Sequence, residues 1–236
     1  MYLPVIMNNT PESSFERCPV CQGSGSLRHL VTIREVPYWR CERCQCTLMD
    51  ARCRLSPDDE QEVYRLHDNQ PEDPGYRRFL NKLAGPLLAR LAPGSEGLDF
   101  GCGPGPALAM MLREEGMQVR LFDPFFYPDH GALAGQYEFV TCTEVVEHLH
   151  HPLETFSLLD RLLKPGGLLG VMTCFQTDDS RFANWHYRRD PTHVVFYREA
   201  TLQWLADHFG WVLEIPAKDV AIFHKPLSQP PVPGNG

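Results

Sequence analysis

Four cysteines near the N-terminus have the spacing of a metal site. Cys18-Pro-Val-Cys21 and Cys41-Glu-Arg-Cys44 are two knuckles separated by residues 22–40. That spacing reads as one tetrahedral Zn²⁺ held by four thiolates; a redox pair is the other reading of such dipeptides. Four thiolates leave the ion no open position, so its part is structural, replacing a core too small to fold alone. Further along, Glu144-Val-Val-Glu147-His148 places two carboxylates and an imidazole at i, i+3 and i+4, one face of a helix. Acids there either face a cleft or simply favour the positive end of the helix. His193, in Asp190-Pro-Thr-His193-Val-Val-Phe196, reads either as a general base for a hydroxyl or amine or as a histidine packed among buried neighbours.

A third set binds rather than reacts. Gly97-Leu-Asp99-Phe-Gly101-Cys102-Gly103-Pro-Gly105 runs a short apolar strand into an acid and then into three glycines at alternate positions. A helix opens at Pro106, which suits a first turn because its missing N–H has no intrahelical partner there. Glycines let the backbone turn tightly and approach a ligand. Such loops serve dinucleotides, phosphates and S-adenosylmethionine. Pro104 and Pro106 remove backbone donors that a diphosphate would use, and Asp99 repels a pyrophosphate but tolerates a sulfonium. The balance favours S-adenosylmethionine.

The elements that must hold these groups follow in order. A helix over 107–115 closes at Gly116, and a strand over 119–122 ends in Asp123. That acid stands about 20 residues past Gly103, the reach at which α/β nucleotide folds put a carboxylate on ribose hydroxyls. A strand over 139–142 leads into the helix of Glu144. Leu163-Lys-Pro-Gly-Gly167 turns into a strand over 168–173, and residues 211–215 and 220–224 read as a closing strand pair. With these motifs in this order, residues 76–225 resemble the class I S-adenosylmethionine-dependent methyltransferases. The resemblance implies an α/β protein with a three-layer α/β/α Rossmann-like sheet behind a small N-terminal zinc ribbon. It also implies a cofactor site of Asp99, Gly101, Cys102, Gly103, Gly105, Asp123, Pro124, Thr143 and Glu144.

One departure and one closer likeness refine this. Only residues 124–138 separate Asp123 from the next strand, where the family usually places a helix, a third strand and another helix. Pro124-Phe125-Phe126-Tyr127-Pro128 reads as a loop, so the sheet is shortened near the third strand; Phe125 and Phe126 either stack on adenine or are plain core. Cys142-Thr-Glu144-Val-Val-Glu147-His148 looks like the Glu-x-x-Glu-His motif of two metal-assisted groups, the small-RNA 3′-terminal 2′-O-methyltransferases and the O-methyltransferases of ubiquinone synthesis. That likeness implies Glu144, Glu147, His148 and His193 as ligands of Mg²⁺ or Mn²⁺, with His193, Glu147 and His148 catalytic. A bound divalent ion can hold two neighbouring hydroxyls and lower the pKa of one.

Composition is consistent with one catalytic domain and an appendage. The chain has 236 residues, 22 basic against 30 acidic residues and a net charge of −8, which disfavours nonspecific nucleic-acid binding. No secretory signal and no membrane span are visible, so a cytoplasmic protein with reduced cysteines is expected. Cys46 and Cys53 read as bystanders, and Cys102, Cys142 and Cys174 as small hydrophobes. The expected organisation is a zinc ribbon over 1–54, a helical connector and cap over 55–92, the methyltransferase domain over 93–225 and a disordered tail over 226–236. Tyr64, His67, Asn69 and Tyr76 are candidate lid or substrate contacts, and the polar stretch from Cys174 to Arg189 is the candidate specificity region. The expected function is methyl transfer from S-adenosylmethionine to a small-molecule acceptor, a hydroxyl if the metal reading holds. The alternatives are a ribosomal or transfer RNA base methyltransferase that uses the ribbon for RNA, and a non-catalytic cofactor sensor whose ribbon binds an unidentified protein partner.

Overall fold

Arg34 and Glu35 both take a left-handed backbone, at φ 49° and 70°, the two-residue turn whose twist matches antiparallel strands on either side. In the computed structural model, β1 (Leu27–Ile33) and β2 (Val36–Cys41) therefore form a hairpin, where apolar content alone suggests one strand over 31–40. The structure describes residues 11–66 and 70–227; His67, Asn69, residues 1–10 and the tail from 228 onward lie outside the described residues. A third strand, β3 (Thr47–Met49), pairs antiparallel with β2. Helix α1 (Pro57–Arg65) starts where the Ser56 side chain accepts the Asp59 N–H, with Asp58, Asp59 and Glu60 in its first turn, all favourable at the positive end of a helix. Asp73 caps α2 (Pro74–Leu88) in the same way.

The catalytic domain then alternates strand and helix: β4 (Glu96–Phe100), α3 (Ala107–Glu114), β5 (Gln118–Phe122), β6 (Tyr137–Thr143), α4 (Pro152–Leu162) and β7 (Leu163–Met172). A short α5 (Asp179–Phe182) and β8 (Val195–Phe196) precede α6 (Glu199–Phe209), β9 (Val212–Ala217) and β10 (Val220–His224). The main sheet has the order β5-β4-β6-β7-β10-β9. Its first four strands are parallel, and β10 runs antiparallel to both its neighbours. Strand β5 is an edge, and the only helical or strand element between it and β6 is a 3₁₀ turn at His130–Ala134. The third strand of the family pattern is absent, as the short spacing predicts.

Alternate residues of the buried strands serve opposite faces. Phe139, Leu168, Met172, Val220 and Ile222 pack under Leu80, Leu83 and Leu87 of α2 and Leu108 and Leu112 of α3. Val140, Cys142, Leu169, Val171 and Phe223 face Phe156 and Leu159 of α4 and Leu202 and Leu205 of α6. Gly97 lets β6 close on β4: a Cβ there would lie 2.1 Å from Cζ of Phe139.

The second core is continuous with Cys18, Cys21, Tyr38, Trp39, Cys41, Cys44 and Leu48. Strand β3 also pairs antiparallel with β8, so the second sheet, β1-β2-β3-β8, takes its last strand from the catalytic domain. The ribbon expected over 1–54 thus shares both a sheet and a core with the catalytic domain.

Candidate active site

A cavity of about 660 Å³ opens at the carboxyl ends of β4, β5 and β6, where open parallel sheets bind their ligands. One end is built from backbone. Gly101 sits at φ 73°, and a Cβ there would meet Cγ2 of Val145 at 2.4 Å; its N–H donates to Phe122 O at 2.7 Å. Asp123 is held beside the loop by three N–H donors: Gly103 on Oδ2 at 3.1 Å, and Phe125 and Phe126 on Oδ1 at 2.9 and 3.0 Å. Oδ2, with a single donor, keeps a further lone pair for a ligand hydroxyl. Gly101, Cys102, Gly103, Asp123, Pro124, Thr143 and Glu144 line the cavity, as do Phe125 and Phe126.

Asp99 and Gly105 do not line it. Asp99 is buried beneath the loop and accepts from Thr141 Oγ1 at 2.7 Å, and burial pushes its pKa up to about 6. It supports the loop from below instead of facing a sulfonium. Pro106 is the N-cap of α3, one residue before the first turn.

The other end is built from side chains. The helix expected after β6 is only a 3₁₀ turn, Val146–His148. Glu144 precedes it with φ 53°, its N–H donating to Met172 O at 2.8 Å, so Glu144, Glu147 and His148 do not share a helix face. The donor atoms of Glu147, His148 and His193 instead lie within 4.8 Å of one another, in a group that does not include Glu144. Glu147 is fully buried and is not among the residues that line the cavity; Tyr187 Oη donates to its Oε1, and its Oε2 has no hydrogen-bond partner. His148 Nδ1 lies 3.2 Å from Thr192 O and His193 Nδ1 lies 2.7 Å from Tyr187 O. A carbonyl only accepts, so both Nδ1 atoms carry hydrogen, and in the neutral ring it is Nε2 that presents the lone pair. The rings are 4.7 Å apart. Burial lowers the His148 pKa, keeping the imidazole neutral, and burial followed by the Glu147 charge raises that of Glu144 to about 9.

The four cysteines converge as their spacing predicts. Cys18, Cys21, Cys41 and Cys44 are buried with all Sγ atoms within 4.8 Å, Cys18 to Cys44 at 3.7 Å and Cys21 to Cys41 at 3.5 Å. Ligands ~2.3 Å from a tetrahedral zinc stand ~3.8 Å apart, so the donor set and its size fit that ion. None of the nine cysteines is in a disulfide. Cys46, read as a bystander, lies 3.6 Å from Cys18 and 3.5 Å from Cys44.

The polar stretch read as a specificity region divides in two. His186 and Tyr187 line the cavity. Gln176, Asp179 and Arg188 instead join the ribbon: Thr47 Oγ1 donates to Gln176 at 2.6 Å, Arg40 pairs with Asp179 at 2.5 Å, and Arg188 donates to Tyr38 Oη at 3.3 Å. Tyr64 and Tyr76 line the cavity as expected. Sequence reasoning missed Glu60 and His150, which also line it; the run His148-Leu-His150-His151 was the available signal for the second.

A family model described as "Methyltransferase domain" matches residues 73–214. The ubiquinone biosynthesis O-methyltransferase of Escherichia coli O6:H1 is 33% identical over 195 residues, covering 69% of this chain and 75% of that protein. The enzyme of the same name from Erwinia tasmaniensis is 31% identical over 153 residues, covering 60% of each. Among solved structures, magnesium protoporphyrin IX methyltransferase from Synechocystis PCC 6803 is 16% identical with a TM-score of 0.48, covering 71% of this chain and 93% of that one. No helix among the described residues is long and apolar enough to cross a membrane. With a glycine loop, an acid at the end of the next strand and a cavity at the strand ends, and a family match over most of the catalytic domain, this chain belongs to the S-adenosylmethionine-dependent methyltransferases.

Proposed function

We propose that the protein methylates a hydroxyl of a small acceptor with the help of a divalent cation held by Glu147, His148 and His193, and that Cys18, Cys21, Cys41 and Cys44 hold a structural zinc. The observation that carries the first part is a buried Glu147 carboxylate whose Oε2 is unpartnered and whose Oε1 lies 3.9 Å from His148 Nε2, in a group of three donor atoms completed by His193 within 4.8 Å. An orphaned, fully buried carboxylate oxygen costs free energy unless a cation or proton meets it. One carboxylate and two imidazoles suit Mn²⁺, Fe²⁺ or Mg²⁺ better than a thiolate-seeking metal. Such an ion, when bound, lowers the pKa of a hydroxyl and orients its oxygen.

This chain's own residues do the rest. The backbone of 101–103 and the Asp123 carboxylate bind the cofactor, with Phe125, Phe126 and Tyr76 excluding water. Thr192 O and Tyr187 O lock the two imidazoles in the tautomer that exposes Nε2. The same lock supports a second reading, in which His193 Nε2 takes the hydroxyl proton directly. Among the described residues the cavity wall carries Glu60, Asp123, Glu144 and Asp190 but neither lysine nor arginine, which favours a neutral or cationic acceptor over RNA.

Calorimetric titration of Mn²⁺ and Mg²⁺ into protein saturated with S-adenosylhomocysteine, with zinc content checked, tests the reading. One-site binding that disappears in His193→Ala is expected. No binding to the wild type rejects the cation and leaves His193 to be tested as the base.

A further inference from the structure

The ribbon and the reaction site share a single residue. Val194 follows His193 directly; its N–H donates to Glu147 O at 2.9 Å, and its carbonyl accepts the Met49 N–H, also at 2.9 Å. Strand β3 continues the contact by pairing Leu48 with Val195 and Thr47 with Phe196. On the far side, β3 is fixed to β2 through Arg40 opposite Thr47 and Tyr38 opposite Met49; Cys41 ends β2, and Cys44 lies in the turn between the two strands. The other knuckle also reaches the site, since Pro19 O accepts the N–H of Leu153 in the first turn of α4, just past the turn that carries His148.

A side-chain path runs parallel to this one. Tyr38 Oη accepts from Arg188 at 3.3 Å. The neighbouring Tyr187 donates its hydroxyl to Glu147 and offers its carbonyl to His193 Nδ1 at 2.7 Å. Strand β8 has two residues, and so short a strand does not persist without a partner. Without an ion the four thiols give the hairpin nothing to close on. The template for the segment after His193 is then lost, while the glycine loop and Asp123, on the opposite side of the cavity, keep their contacts to β5.

We infer that the cysteine ribbon is a positioning element for the reaction: its β3 strand and Tyr38 set the places of His193 and Glu147, so the ribbon's metal governs turnover without governing cofactor binding. This rests on the reading that His193 serves the reaction. Full-length protein with ¹⁵N-labelled histidine provides the test, compared as isolated, after a strong chelator has removed the thiolate-bound metal, and as Tyr38→Phe with its metal intact. The isolated protein is expected to show His193 as the single Nδ1–H tautomer. Chelation is expected to mix the tautomers and lower kcat on the order of 10²-fold, the effect of misplacing a group by about 1 Å, with affinity for S-adenosylhomocysteine changed less than about twofold. Tyr38→Phe is expected to shift kcat and the His193 signals in the same direction and to leave the KM for S-adenosylmethionine alone. Unchanged His193 signals in both samples overturn the inference. So does parallel loss of cofactor affinity, which would make the ribbon a support for the whole domain. Full turnover by His193→Ala would instead reject the functional reading, which the nitrogen signals do not depend on.

Discussion

The molecule holds two clusters of metal-binding side chains, and they are built in opposite ways. The thiolate cluster is closed: four like donors, all buried, from the two knuckles that flank one hairpin, none of them in the wall of the active-site cavity. The carboxylate–imidazole cluster is open: three donors from two segments far apart in sequence, with His148 and His193 in the wall of a large cavity and one carboxylate oxygen unmatched. A closed set fixes geometry and admits no substrate, whereas an open one leaves positions for a reacting group. Because Val194 bonds the turn of Glu147 on one side and β3 on the other, the closed cluster holds the open one in place.

Glu147→Gln gives the largest effect expected from this contrast. Removing the charged donor of the open cluster lowers kcat/KM roughly 10³-fold, the several kcal/mol a bound cation supplies, while metal analysis still finds one zinc per chain. Loss of zinc in this variant would break the distinction between the clusters.

Asp99 provides an intermediate test, because it shows what burial does to a carboxylate belonging to neither cluster. Burial raises its pKa from 3.8 to about 6, so the folded protein holds that proton more tightly than the unfolded chain does. The stabilisation is complete below pH 3.8 and is lost as pH rises through about 6, a difference of about 3 kcal/mol. Thermal melts across this range should show wild type losing stability relative to Asp99→Asn as pH increases. Parallel curves would mean that folding leaves the Asp99 pKa where it stands in the unfolded chain.

Cys46→Ala is the smallest change. The fifth sulfur touches two of the four, but the four without it already fit a tetrahedral ion, so zinc stoichiometry is unchanged and stability falls by about 1 kcal/mol for the lost buried volume. A variant with substoichiometric zinc would place Cys46 among the ligands.

What the sequence made legible follows the same division. The glycine loop, Asp123 and the cysteine knuckles are local patterns, in which backbone geometry or a fixed spacing dictates residue types, and the structure brings each together. The missing third strand was also readable, from the chain length between Asp123 and Phe139. The surroundings of Glu147 were not, because they depend on tertiary placement. Val145 closes on Gly101 where a helix would have begun, leaving a 3₁₀ turn that detaches Glu144 from its neighbours. Nothing local marks Tyr187 as the partner of Glu147 and His193 at once. The stretch of polar residues after β7 looked uniform, yet Gln176, Asp179 and Arg188 hold the ribbon while His186 and Tyr187 face the cavity.

The pairing of Thr47 with Phe196 also orders the events of biosynthesis. As the chain emerges from the ribosome, the knuckles appear first and the strand that completes their sheet follows only after most of the catalytic domain's sheet. Contacts so distant along the chain form slowly, and until they form the edge of β3 is bare and open to pairing with other chains. Maturation of the metal-binding hairpin is thus tied to completion of the catalytic domain, and truncation before Phe196 leaves an unpaired strand beside the four thiols.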